Sequence, residues 1–285
     1  MKSVRICVAA ITAGVVCIAV MLGILSAAIY AENESGDSFI GLMYHQVLKD
    51  ESRAGKYIIT PGELESDLAY LSENGYVSVL PSQLVKIREQ GGRLPEKTVV
   101  ITFDDGYETG LYYVLPLLKK YGMKAVINVV GSYTDEYSQI NEEGRHLSYA
   151  YLTWDEIRKL SDSGYVEIGN HTYNMHSYNG DRNGCARKEN ESDEQYRTVL
   201  YEDVARLSDK LQRVTGKRPV AFAYPFGSLS EGSAEIIGSA GISVFMTCCE
   251  QPCSMNRNGR IVINRYNRES GRTARQICEE FNNAF

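Results

Sequence analysis

Apolar and polar positions along this chain follow two rhythms. Short, mostly apolar runs recur as FIGLMYH (39–45), TVVITFD (98–104), KAVINVV (124–130), YVEIGNH (165–171), VAFAYPF (220–226), ISVFMTC (242–248) and IVINRY (261–266). Runs of that length, bounded by turn residues, read as buried strands. Between several of them lie segments with helical spacing. ITPGELESDLAYLSENGY opens with Thr60 as N-cap and Pro61 in the first turn, and stops at Gly75. LYYVLPLLKKYG ends at Gly122, LTWDEIRKLSDSGY runs from a Thr153 cap to Gly164, and VLYEDVARLSDKLQRVTG ends at Gly216. Strand–helix alternation implies parallel strands with crossover helices, an α/β fold. About seven such units predict a distorted or incomplete (β/α) barrel rather than an open sheet. A barrel gathers its chemistry at the C-terminal strand ends, where His45, Asp104, Asp105, His171, Pro225 and Gly227 all fall.

The N-terminus breaks both rhythms. Lys2 and Arg5 precede an uncharged run from Ile6 to Tyr30. That run exceeds the roughly 18 apolar residues that suffice for a spanning helix. It also exceeds the ~7–15-residue core of a cleaved signal peptide, although small residues near Ser26 to Ala31 suit a peptidase. The expectation is a membrane anchor or signal peptide over 1–31, a polar linker over 32–38, and one catalytic domain over 39–285. The positive flank stays inside. The domain is therefore expected outside the cytoplasm, tethered to the cell membrane by the N-terminal helix or secreted.

Net charge is −6, with no basic block, so the chain shows no nucleic-acid footprint. Five of its seven cysteines (Cys185, Cys248, Cys249, Cys253 and Cys278) lie beyond the apolar segment. Their spacing is no zinc-knuckle pattern, and in an exported domain one or two disulfides are the modest expectation. The polar stretch from about 177 to 195 reads as a long loop beside the site.

Chemistry concentrates in two places. TFDDG (102–106) sets two carboxylates at a strand end, with Gly106 able to take a sharp turn. HTYNMH (171–176) spaces two histidines too widely for one helical face, so a turn after the strand must bring them together. Alone, the first is commonly a solvated turn and the second a pair of surface histidines. Together they suggest a metal site with an open position, in which one aspartate coordinates and its neighbour accepts a proton.

TFDDG, HTYNMH and AYPFG (223–227), in that order, resemble the polysaccharide deacetylases of carbohydrate esterase family 4 over roughly residues 39–270. The resemblance implies Asp104 as general base, Asp105, His171 and His176 as metal ligands, and the Phe226 N–H as an oxyanion donor. It implies one divalent ion, zinc first, with cobalt or others accepted, and an N-acetylated polysaccharide as substrate. Two features depart from the common pattern: Ala223 stands where many members orient the base with an arginine, and no late histidine follows His176. The early His45 instead resembles the subgroup with rearranged motif order, which includes poly-β-1,6-N-acetylglucosamine deacetylases and implies His45 as general acid. Tyr224, Trp154 and Arg265 are expected on the substrate side, Trp154 alternatively as a core or rim residue and Arg265 alternatively orienting a site carboxylate. His146 reads as surface. A noncatalytic carbohydrate-binding module on the same scaffold, or an O-acetyl esterase, are the competing expectations.

Overall fold

Each of the seven short apolar runs between residues 39 and 266 contributes a strand. In the computed structural model, which describes residues 37–178, 182–256 and 258–284, β1 (Ser38–Tyr44), β2 (Val77–Ser78), β3 (Thr98–Phe103), β4 (Ala125–Val129), β5 (Val166–Asn170), β6 (Ala221–Ala223), β7 (Val244–Met246), β8 (Ile261–Ile263) and β9 (Tyr266–Asn267) pair in parallel. The order runs β1–β3–β4–β5–β6–β7–β8, with β2 added beside β3. The last strand run is broken at Asn264–Arg265. Its first half, β8, pairs with β7, and its second half, β9, pairs with β1. That break lets one segment bridge both edges and brings the sheet to a nearly closed, barrel-like α/β fold. Gly41 makes the bridge possible, because a Cβ there would lie 2.3 Å from the Asn264 carbonyl oxygen.

Helices α1 (Pro61–Glu73), α2 (Pro81–Glu89), α3 (Leu115–Tyr121), α4 (Gly131–Tyr137), α5 (Trp154–Asp162), α6 (Asp193–Thr215), α7 (Ser233–Ser239) and α8 (Ala274–Asn282) complete the described fold. Thr60, Thr153, Ser192 and Thr273 cap four of them through reciprocal boxes with Glu63, Glu156, Gln195 and Gln276. Gly122 and Gly216 end α3 and α6 in the left-handed conformation.

The two-residue period of the strands decides which side chains meet the helices. On β3, Val99, Ile101 and Phe103 join the cluster under the helices, while Val100 joins the barrel interior. Thr102 and Asp104 continue the inward phase. On β6, Ala221 and Ala223 face inward, whereas Phe222 and, beyond it, Tyr224 pack outward with α6 and α7 residues.

The expected disulfides do not form: all five described cysteines are free thiols. Cys185, Cys253 and Cys278 are buried in three separate clusters, so packing rather than pairing accounts for them. The Cys253 thiol donates to the Asn264 carbonyl at 3.1 Å. The expected membrane segment and residues 32–36 of the linker lie outside the described residues. Ser38, the last linker residue, already pairs with Ser254.

Candidate active site

At the C-terminal end of β3 the chain reverses within two residues. Asp105 takes φ = 71° and Gly106 φ = 72°. A Cβ on Gly106 would come within 2.9 Å of a Val129 methyl, so only glycine fits the second place. The reversal begins on the aspartate itself, a strained position for a residue with a side chain. It breaks the strand's alternation and delivers both carboxylates to the same barrel mouth.

Asp105 meets the two histidines. Its Oδ1 lies 3.5 Å from His171 Nε2 and 3.1 Å from His176 Nε2, and one donor atom from each residue falls within 4.8 Å of the others. His171 Nδ1 is 2.8 Å from the Ala223 carbonyl, to which it donates when it carries the proton; that leaves Nε2 as the ligand atom. Tyr133 hydroxyl donates to the His176 carbonyl at 2.9 Å and stands 3.3 Å from its Nδ1. Burial alone would raise the Asp105 carboxyl, but the contacts from His171 and His176 outweigh it and hold the group well below the usual carboxylate range. Two imidazole nitrogens and one carboxylate oxygen, with a cavity in front, fit a divalent ion that keeps open positions.

Asp104 is held apart from that point. Its Oδ1 accepts from Arg265 Nη1 at 2.7 Å and from Asn128 Nδ2 at 2.8 Å. Arg265 is fully buried and also donates to Thr102 Oγ1 and the Thr247 carbonyl. Burial pushes the Asp104 carboxyl up. The Arg265 guanidinium, with His171 adding to it, reverses that and holds the group well below its ordinary value.

The cavity in front of these groups has a volume of about 500 Å³ and is lined also by His45, Tyr57, Tyr178 and Phe226. The His45 ring packs 4.7 Å from that of Tyr57, and its Nδ1 is buried with no partner among the described residues. Burial lowers the His45 pKa against the opposing pull of Asp105 and Asp104. Phe226, at φ = 58° in the Pro225–Gly227 turn, sets its ring 4.6 Å from His176 and 4.9 Å from Tyr178.

Comparison with known proteins agrees with this geometry. The sequence profile of the family described as polysaccharide deacetylase matches residues 91–245. The chain belongs to the polysaccharide deacetylase family. It is 27% identical over 230 residues to the poly-beta-1,6-N-acetyl-D-glucosamine N-deacetylase of Escherichia coli K12, covering 74% of this chain and 34% of that protein. The chain thus spans about a third of the length of that relative. The enzyme of the same name from Staphylococcus aureus MRSA252 is 22% identical over 241 residues, covering 80% of this chain and 77% of its own length. Among solved structures, a de-N-acetylase from Aggregatibacter actinomycetemcomitans matches with a TM-score of 0.72 and 27% identity, covering 85% of this chain and 99% of that one.

Within this deacetylase frame, the structure brings together Asp104, Asp105, His45, His171, His176 and Phe226 at one cavity. Three residues expected on the substrate side are not placed there. Tyr224 is buried between Phe222 and Phe245 because strand phase turns it outward, and its hydroxyl lies 3.3 Å from that of Ser233. Trp154 starts α5, donates from Nε1 to Asp135 Oδ1 at 2.9 Å, and carries Lys210 over its ring. Arg265 faces Asp104 from inside the barrel, as its alternative reading had it. His146 stays exposed. The described part of the expected loop runs against the Pro225–Gly227 turn at Gly184, where an added Cβ would lie 2.7 Å from the Pro225 carbonyl oxygen, and beyond the turn Arg187 N–H donates to Ser230 Oγ.

Sequence reasoning did not single out Asn128 or Asp203. Asn128 left a signal, being the one polar residue inside AVINV. Asp203, which accepts the Tyr173 and Asn174 N–H groups from α6, left none, because it lies far from both in the chain.

Proposed function

We propose that the chain hydrolyses N-acetyl groups on an extracellular amino-sugar polysaccharide with the help of a divalent metal ion. Asp104 is the general base, His45 the general acid and the Phe226 N–H an oxyanion donor. The observation that carries this reading is the separation of two adjacent carboxylates: Asp105 converges with His171 and His176, while Asp104 is held off by Arg265 and Asn128. A pure binding module has no use for a gripped carboxylate beside a ligand triad.

Asp105, His171 and His176 would hold a divalent ion, zinc first and cobalt as an alternative, which would supply Lewis acidity for the acetamide carbonyl and lower the pKa of water toward about 7. Both donors to Asp104 occupy Oδ1, so Oδ2 takes the proton of the attacking water. The developing oxyanion takes the Phe226 N–H, a role typically worth ~3–4 kcal/mol. The amine departs only if protonated, and His45, at the end of β1 on the same cavity, supplies that proton. A lowered pKa makes its protonated form the stronger donor. The exposed rings of Tyr57, Tyr178 and Phe226 suit stacking on sugar faces.

The names of the Escherichia coli and Staphylococcus aureus relatives support poly-β-1,6-N-acetylglucosamine as the substrate class. Segment 1–31, as anchor or signal, supports a domain of 39–285 working outside the cytoplasm. Asp104→Asn is expected to lower acetate release from β-1,6-linked N-acetylglucosamine oligomers by ~10²–10⁴-fold while zinc binding persists. Turnover near that of the parent protein would remove Asp104 from the base role.

A further inference from the structure

Helix α6 inserts a carboxylate into the turn that separates the two histidines. After His171, whose N–H donates to the Val129 carbonyl, the Thr172 and Tyr173 carbonyls still accept from the Gly131 and Ser132 N–H groups, but the N–H donors of the turn depend on side chains. Thr172 N–H donates to Asn170 Oδ1 at 2.9 Å, and Met175 N–H to Thr172 Oγ1 at 3.2 Å. The two N–H groups between them go to one residue: Tyr173 N–H donates to Asp203 Oδ1 at 2.6 Å and Asn174 N–H to Asp203 Oδ2 at 2.8 Å.

The local backbone explains why an anion is needed. Thr172 adopts φ = 71°, which is unusual for a β-branched residue and costs on the order of 1–3 kcal/mol unless the surroundings hold it. Consecutive N–H groups beside a left-handed residue form a concave nest that binds an anion. Asp203 fills that nest with both oxygens. Without it, two N–H donors at the inner side of the turn lose charge-assisted partners, and the strained Thr172 is left with only the bonds to Asn170, Met175 and Gly131 to hold it.

The same helix face fixes the side chains of the turn. Asp203, Arg206 and Lys210 are spaced three and four residues apart, so they line one stripe of α6. The Arg206 guanidinium stacks 3.6 Å from the Tyr173 ring centroid and donates to the Tyr173 hydroxyl at 2.7 Å. That hydroxyl donates to Asp135 Oδ2 at 2.5 Å, and Lys210 pairs with Asp135 from the other side. Asn170 Nδ2 reaches the Val204 carbonyl and Ser208 Oγ on α6 as well. One helix therefore holds the turn from its entry at Asn170 to Asn174, two residues before His176.

We propose that Asp203 is a positioning residue for the metal site, setting His176 Nε2 against Asp105 and His171 by clamping the Tyr173–Asn174 backbone. It acts through the main chain and touches neither substrate nor ion. The proposal rests on the metal-site reading given above. Outer-shell partners of this kind typically change metal affinity by ~10–100-fold when altered.

The test is a Co²⁺ titration of the metal-free protein, followed by visible absorption and repeated for Zn²⁺ by competition. Asp203→Asn keeps the shape but offers one acceptor oxygen and turns an NH₂ toward the other N–H. It is expected to bind Co²⁺ ~10–100-fold more weakly, with an altered d–d spectrum, while far-ultraviolet circular dichroism stays that of the parent. Equal affinity and an identical spectrum would overturn the positioning role alone. A parent protein that binds no Co²⁺ or Zn²⁺ would overturn the metal-site reading and this inference together. Should Asp203→Asn not fold, Arg206→Met carries the test: it removes the guanidinium from the Tyr173 ring and hydroxyl while keeping Asp203, and is expected to weaken Co²⁺ binding several-fold. Unchanged binding in that variant would count against the clamp.

Discussion

Asp104 and Arg265 lie 2.7 Å apart with almost no exposure, so neither can be altered without consequence for the other. Removing one partner of such a pair leaves a bare charge in the interior, which typically costs about 3–5 kcal/mol. Arg265→Leu is therefore expected to lower the urea-unfolding free energy by about that amount, and Asp104→Asn in the same chain to restore much of it. Additive losses would show that the two groups are not coupled. The convergence of Asp105, His171 and His176 was legible because residue type, order and strand-end placement all pointed to one mouth. The partner of Asp104 was only half legible. Ala223 showed that the common arginine is missing, and Arg265 shares the phase of Ile261 and Ile263, which marks it as inward. Nothing local could show that the barrel closes so as to carry it to β3.

That closure is an element-scale matter. The run IVINRY reads as one strand, yet it splits into β8 and β9 because its two halves pair with different neighbours. Pairing is set by the whole circuit, so no window of sequence encodes the break. Strand and helix positions were otherwise readable from apolar spacing, threonine caps and terminal glycines. The disulfide expectation failed because cysteine number says nothing about which core cluster each thiol enters. Gly41→Ala tests the closure: its Cβ would press on the Asn264 carbonyl at 2.3 Å, and overpacking of this kind costs typically 1–3 kcal/mol. A drop in melting temperature with reduced acetate release is expected, since the same displacement moves Arg265. Gly62→Ala, which meets nothing closer than Thr60 Oγ1 at 3.9 Å, is expected to be neutral or slightly stabilising. Equal effects from the two substitutions would argue against a tight closure at Gly41.

At the scale of the whole molecule, one nearly closed barrel brings side chains from β1, β3, β5, the β6–α7 turn and the last strand to a single cavity. His45 and His176 are far apart in sequence, and only the order of strands makes them neighbours of the same site. The family follows from the profile match and from the site geometry together. The most direct measurement is acetate release from β-1,6-linked N-acetylglucosamine oligomers by the purified protein, before and after a chelator and again after Zn²⁺ is restored. Release that the chelator abolishes and zinc recovers is expected, with little release from O-acetylated xylan. Release that persists in chelator, or oligomer binding without any acetate, would contradict it.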